Sequence, residues 1–223
     1  GAAWQARKAR LKERIRDMAD ELIRVAAARE LKTGVRIAVE EGIYEEFSAR
    51  FPYTETEDQA QAIDDTMADL GGRRPMDRLI CGDVGFGKTE IALRAAFATA
   101  MEGFQVAVIV PTTLLARQHY RTFKDRFADL PVRIGQLSRF VSARDADRVR
   151  DGLADGTLDI VIGTHALLAK SVRFKRLGLI VIDEEQHFGV SQKERLKTLK
   201  SNVHILTLTA TPIPRTLQMA LSR

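Results

Sequence analysis

A single cysteine, Cys81, occurs in 223 residues, so no internal disulfide can form and a reducing cytoplasm is the natural setting. No apolar run approaches the roughly 18 residues that a membrane span needs. The basic start, "GAAWQARKARLKER", lacks the apolar centre of a secretory signal. Four scattered histidines and the one cysteine offer no metal-ligand spacing. Repeats and low-complexity segments are also missing.

What is present is ordinary for a globular chain. Hydrophobic residues make up 45% and charged residues 29%, enough for one large domain, or one domain and an appendage. The net charge of +5 is compatible with nucleic acid but equally with many unrelated domains. The chain starts without methionine and stops after a helical-looking segment, so it is expected to be part of a longer protein.

Residues 4–32 predict one long amphipathic helix. Leu11, Ile15, Met18, Leu22 and Val25 recur at spacings of three and four, forming a single apolar stripe. Arg7, Lys8, Lys12, Arg14 and Arg16 occupy the other face, and Gly34 is the expected stop. From Arg74 the pattern becomes short Val/Ile/Leu runs alternating with helical segments. The candidate strands are 78–81, 105–110, 132–137, 158–163, 177–183 and 203–209. Their lack of alternation suits a parallel sheet buried on both faces, and the rhythm is that of a doubly wound α/β domain. Cys81, in the first of these runs, reads as a small core residue.

"GDVGFGKT", Gly82–Thr89, fits the phosphate-loop pattern and lies between a strand and a helix, as that motif requires. Gly82, Gly85 and Gly87 let successive amides face an anion, and the helix start adds partial positive charge. Lys88 is placed to reach the β/γ-phosphates of ATP, and Thr89 to put its hydroxyl on Mg²⁺. "LIVIDEEQH" ends an apolar strand in two acids. Asp183 is placed to hold Mg²⁺, directly or through water, and Glu184 to orient or deprotonate the attacking water.

Together these stretches resemble the motor core of superfamily-two helicases and translocases. The fold this implies is a RecA-like lobe, a mostly parallel sheet covered by helices on both faces. "FPYTETEDQAQAI" (51–63) is similar to the adenine-reading Q motif, with Gln59 as the reader and Phe51 as a stacking surface. The implied nucleotide-binding set adds Gly82, Asp83, Val84, Gly85, Phe86, Gly87, Lys88, Thr89 and Glu90. "PTTLLARQH" (111–119) and "IGTHALL" (162–168) resemble motifs Ia and Ib. They imply that Thr113, Arg117 and Thr164 contact DNA phosphates without reading sequence, with Arg139 in "LSRF" as a further contact. "LTLTATPIPRT" (206–216) resembles motif III, with Thr209 and Thr211 coupling hydrolysis to movement. Gln186 is implied as a γ-phosphate sensor.

Within the superfamily, "DRLICGDVGFGKTEIALRAAF", "VIDEEQHFGV" and "LTLTATPIPRTLQMA" closely resemble the bacterial transcription-repair coupling factor family. RecG-type fork-reversal helicases are also similar, and they usually carry Ser where Phe86 stands. The resemblance implies an ATP-driven translocase on double-stranded DNA. In the whole protein it displaces stalled RNA polymerase and recruits excision repair through UvrA. It further implies a connecting helix at 1–33 and a first RecA-like lobe at 34–223, with the second lobe and its arginine finger beyond Arg223. A lobe without that finger is expected to bind nucleotide but turn over little ATP. Two alternatives remain: a RecG-like fork-reversal enzyme, or a nucleotide-binding module with little turnover.

Overall fold

The computed structural model describes residues 2–30, 33–82, 87–184, 189–199 and 202–210. Six strands form one sheet: β1 (Asp77–Cys81), β2 (Gln105–Ile109), β3 (Ile134–Leu137), β4 (Ile160–Gly163), β5 (Leu177–Asp183) and β6 (His204–Thr209). Their order is β1-β6-β5-β2-β4-β3, and every pairing is parallel. β2, β4 and β6 are buried along their whole length, as expected of central parallel strands rich in Val, Ile and Leu. β1 differs. It is an edge strand with exposed Asp77 and Leu79, and Cys81 is only half-buried rather than a core residue. The strands at 134–137 and 160–163 begin two residues later than the apolar runs suggest, and Pro131 lies just ahead of the first.

Alternate residues of each strand enter opposite cores. Val106, Val108, Ile160, Ile162, Leu179, Val181, Leu206 and Leu208 face one layer. It is built by α2 (Glu41–Ala49), α3 (Glu57–Leu70), α4 (Lys88–Met101) and α5 (Thr113–Arg126). Ala107, Ile109, Val161, Ile180, Ile182 and Ile205 face the other. That layer holds α6 (Ala143–Asp155), a 3₁₀ turn (His165–Leu168) and α7 (Val190–Leu199). The result is a three-layer α/β domain.

α4 is the most enclosed helix, buried from Glu90 to Ala100. Its alanines let the helix approach the sheet closely. Phe97 stacks on Phe47 of α2 with centroids 4.2 Å apart, and Phe47 meets Phe127 at 5.1 Å. Phe97 is fully buried, so truncating it to alanine costs about 3–5 kcal/mol.

His204 fastens the sheet to the chain before α2. Its Nδ1 accepts from the Met76 amide at 2.9 Å, so Nε2 is the protonated nitrogen that donates to the Val35 carbonyl.

α1 (Ala2–Glu30) starts two residues before the predicted span and is helical through its last described residue before position 33. Its stripe is uncovered: Trp4, Leu11, Ile15, Met18 and Leu22 are each about 60% exposed or more (61%, 60%, 58%, 65% and 68%). Trp4 is touched by Lys8, whose ammonium sits 5.1 Å from the ring centre.

Candidate functional site

A parallel sheet sends all its C-terminal ends to one edge, where open α/β folds bind ligands. The strand order divides that edge in two. β1, β6 and β5 are contiguous and carry the phosphate-loop flank, Thr209 and the acids. β2, β4 and β3 are contiguous and carry the segments resembling motifs Ia and Ib.

On the first half, Cys81 is level with Thr209, and Asp183 with Leu208. The Gly82 amide donates to the Thr209 carbonyl at 3.1 Å, and the Glu184 amide to the Leu208 carbonyl at 2.9 Å. The loop flank and the acids therefore sit either side of one strand, about 10 Å apart at two strand spacings. α4 starts at Gly87, which has a left-handed φ of 73° and supplies no side-chain cap. Such an uncapped helix start suits an anion. Lys88 Nζ donates to the Gly82 carbonyl at 3.0 Å, which holds the ammonium at the base of the loop. Thr89 is half-buried beside it.

Glu184 has a positive φ of 57°, uncommon for a side chain larger than glycine. That turn swings its carboxylate over β6. Oε1 accepts from the Ala210 amide at 3.0 Å, and Thr209 Oγ1 lies 3.4 Å from Oε2. The acid and the threonine of the motif III segment are thus in direct contact. Asp183 is half-buried and meets His119 of α5, Nε2 to Oδ2, at 3.5 Å. His119 was not visible as a site residue in the sequence. The available signal was a histidine on the buried face of a helix, between Ala116 and Phe123.

Gln59 lies inside the protein, 4% exposed, and its Nε2 donates to the Gly87 carbonyl at 3.2 Å. Its amide grips the phosphate-loop exit, and a Cβ on Gly87 would fall 2.2 Å from Nε2. Phe51 is edge-on to Tyr53 at 5.7 Å, with the Arg94 guanidinium 5.7 Å from its centre.

Glu90 is bound up in the packing of α4 and α5. Its carboxylate is 3% exposed and is held by an arginine from each helix. Oε1 accepts from Arg94 Nε at 2.8 Å and Arg126 Nη2 at 3.0 Å, and Oε2 accepts from Arg126 Nη1. Arg94 also reaches Glu55 at 2.5 Å, and that partner holds the Glu55 carboxyl below its ordinary value. Both arginines draw on this one carboxylate for charge.

On the second half lies a cavity of about 660 Å³. Thr113, Arg139 and Thr164 line it, as do Thr112, Ser138 and Arg150. Arg139 is exposed. Thr164 is only 5% exposed, and its hydroxyl caps the 3₁₀ turn, 3.5 Å from the Ala166 amide. Arg117 is exposed on α5 but is not among the residues lining the cavity. Asp83, Val84, Gly85, Phe86, Gln186 and Thr211 lie outside the described residues. Among the described residues no cluster of three or more His, Cys, Asp or Glu could hold a metal unaided, and no helix is long and apolar enough to cross a membrane.

The family model "DEAD/DEAH box helicase" matches residues 56–220. The chain is 52% identical over 221 residues to the transcription-repair-coupling factor of Bacillus subtilis, and 54% identical over 220 residues to that of Haemophilus influenzae. Each match covers 99% of this chain but 19% of the relative, so the chain spans about a fifth of their length. A RecG structure solved bound to a three-way DNA junction aligns with TM-score 0.77 and 36% identity, over 88% of this chain and 26% of that one. The helicase MrfA shares the fold, with TM-score 0.60 and 18% identity over 84% of this chain and 32% of that one. With a parallel sheet, a phosphate-loop flank and paired acids on one edge, and the family match spanning most of its length, the chain belongs to the DEAD/DEAH box helicase family.

Proposed function

We propose that this chain is the ATP-binding lobe of a translocase that couples ATP hydrolysis to movement on double-stranded DNA. Residues 1–33 form a connecting helix and 34–223 the first RecA-like lobe. The observation that carries the reading is the divided sheet edge, with a nucleotide half on β1-β6-β5 and a cavity half on β2-β4-β3.

The residues present fit a magnesium-bound triphosphate. An uncapped helix start, an ammonium at the loop base, a hydroxyl at Thr89 and a half-buried acid at Asp183 stand on one edge. Magnesium binds few protein ligands and completes its shell with phosphates and water, so a cluster of carboxylates is not needed. Lys88 and the loop amides hold phosphate, Thr89 and Asp183 hold the metal, and Glu184 orients water. When bound, the metal neutralises charge on the transferring phosphoryl group. Gln186 senses the γ-phosphate. The grip of Thr209 and Ala210 on Glu184 supports motif III as the coupling element, in which Thr211 is the second coupling threonine. Gln59 and Phe51 frame the base. Thr113, Arg139 and Thr164, with Arg117 outside the cavity, follow the DNA backbone.

The 52–54% identity supports the finer reading that the whole protein displaces stalled RNA polymerase and recruits excision repair through UvrA. The likeness to RecG supports a second reading, action on branched DNA. Duplex and fork binding by the parent protein, titrated with salt in the presence of Mg·ATP, tests both. A steep salt slope, no sequence preference and no fork preference are expected. A marked fork preference favours the second reading, and strong base-sequence preference refutes both.

A further inference from the structure

α5 touches three places that matter. Its first turn lines the cavity through Thr112 and Thr113. Two turns on, His119 meets Asp183. Two turns further, Arg126 clamps Glu90, in the first turn of α4. Ala116, His119, Phe123 and Arg126 follow the spacing of three, four and three that marks one helix face. Ala116 and Phe123 are fully buried, so the face packs on the core. Polar side chains on such a face cost free energy unless each has a partner. Here the partners are Asp183, at the nucleotide half of the sheet edge, and Glu90, inside the α4–α5 packing.

Within the proposed function, on which this rests, we infer that His119 is a positioning residue. It holds Oδ2 of Asp183 and leaves Oδ1 as the atom that would ligate the metal, and it carries movement of α5 at the cavity into the metal site. The contact is 3.5 Å, longer than a tight hydrogen bond, as expected of a link that closes when both ligands are bound. A carboxylate that ligates a metal is itself usually held by a neighbouring donor, and losing that donor typically weakens metal affinity about 10–100-fold. α5 is held at its C-terminal end through Arg126. The turn that carries His119 lies between that anchor and the first turn, so a shift at the first turn passes through it.

The test is Mn²⁺ binding to the ADP-saturated chain, read by electron paramagnetic resonance with and without duplex DNA. The unsubstituted chain is expected to bind Mn²⁺ more tightly when duplex is present. His119→Ala is expected to lose about 10-fold or more in Mn²⁺ affinity and the effect of duplex on it, with duplex affinity and circular dichroism unchanged. His119→Gln, which keeps a donor at similar reach, is expected to restore most of both. Mn²⁺ affinity within twofold of the unsubstituted chain in His119→Ala would overturn the inference alone. So would a persisting duplex effect in that variant, or none in the unsubstituted chain. Failure of the unsubstituted chain to bind Mn·ADP would overturn the proposed function and this inference with it.

Discussion

Glu90→Gln separates a structural clamp from a nucleotide ligand. The carboxylate accepts from two arginines whose side chains are 6% and 12% exposed. The amide is nearly isosteric but presents an NH₂ to one of them, so a donor faces a donor. Glu55 then remains as the single carboxylate for two guanidiniums, and it contacts Arg94 alone among the described ion pairs. Removing one partner of a buried, hydrogen-bonded ion cluster costs about 3–5 kcal/mol. For a chain of this size each kcal/mol moves the melting temperature by roughly 2–4 °C, giving a fall of roughly 6–20 °C. Urea unfolding with an unchanged m-value is the assay, run beside Mg·ADP titration of the folded protein. Stability is expected to fall by that amount while nucleotide affinity changes less than about threefold. A loss below about 1 kcal/mol, or a loss of affinity without a loss of stability, would refute the clamp.

Two further outcomes follow from the same geometry. Arg94 depresses the Glu55 pKa, so this carboxylate stabilises the fold above the ordinary glutamate pKa of about 4.3, and its contribution disappears as pH falls through the lowered value. Glu55→Gln should therefore be less stable at pH 7 and converge with the parent in acid, and parallel stability curves down to pH 2 would contradict this. In Gly163→Ala the new Cβ would fall 2.3 Å from the Leu137 carbonyl oxygen, between β3 and β4. A destabilisation of about 1–3 kcal/mol in urea is expected, and none would mean that the backbone yields freely there.

The strands were legible because burial on both faces leaves no room for polar residues, and the runs at 105–110 and 177–183 carry that signature unaided. Their order was not legible, since nothing local says that β6 lies between β1 and β5. α2 escaped notice: nine residues with "EEF" give too little periodicity, and the helix exists because Phe47 stacks on Phe97. The phosphate-loop flank and the acids were readable because glycine, lysine and carboxylate spacing mirrors the ligand. The surroundings of Glu90 were not legible, for a non-local reason. Its principal partner, Arg126, is 36 residues away, and nothing near Glu90 distinguishes a clamp from a ligand. His119 was invisible for the same reason, its meaning lying in Asp183 on another element. The apolar stripe of α1 was read correctly as a stripe, but a helix pattern does not specify what covers it.

Coupling between Lys88 and Asp183 in nucleotide binding is the most direct measurement. Mg·ATP affinity would be determined for Lys88→Ala, Asp183→Asn and the double variant, with circular dichroism as the check on folding. If both side chains serve one metal–triphosphate, each substitution weakens binding, and the two effects fall short of adding by about 0.5–3 kcal/mol. Strictly additive losses, or undiminished affinity in either single variant, would mean that the two ends of β1 and β5 do not share a ligand.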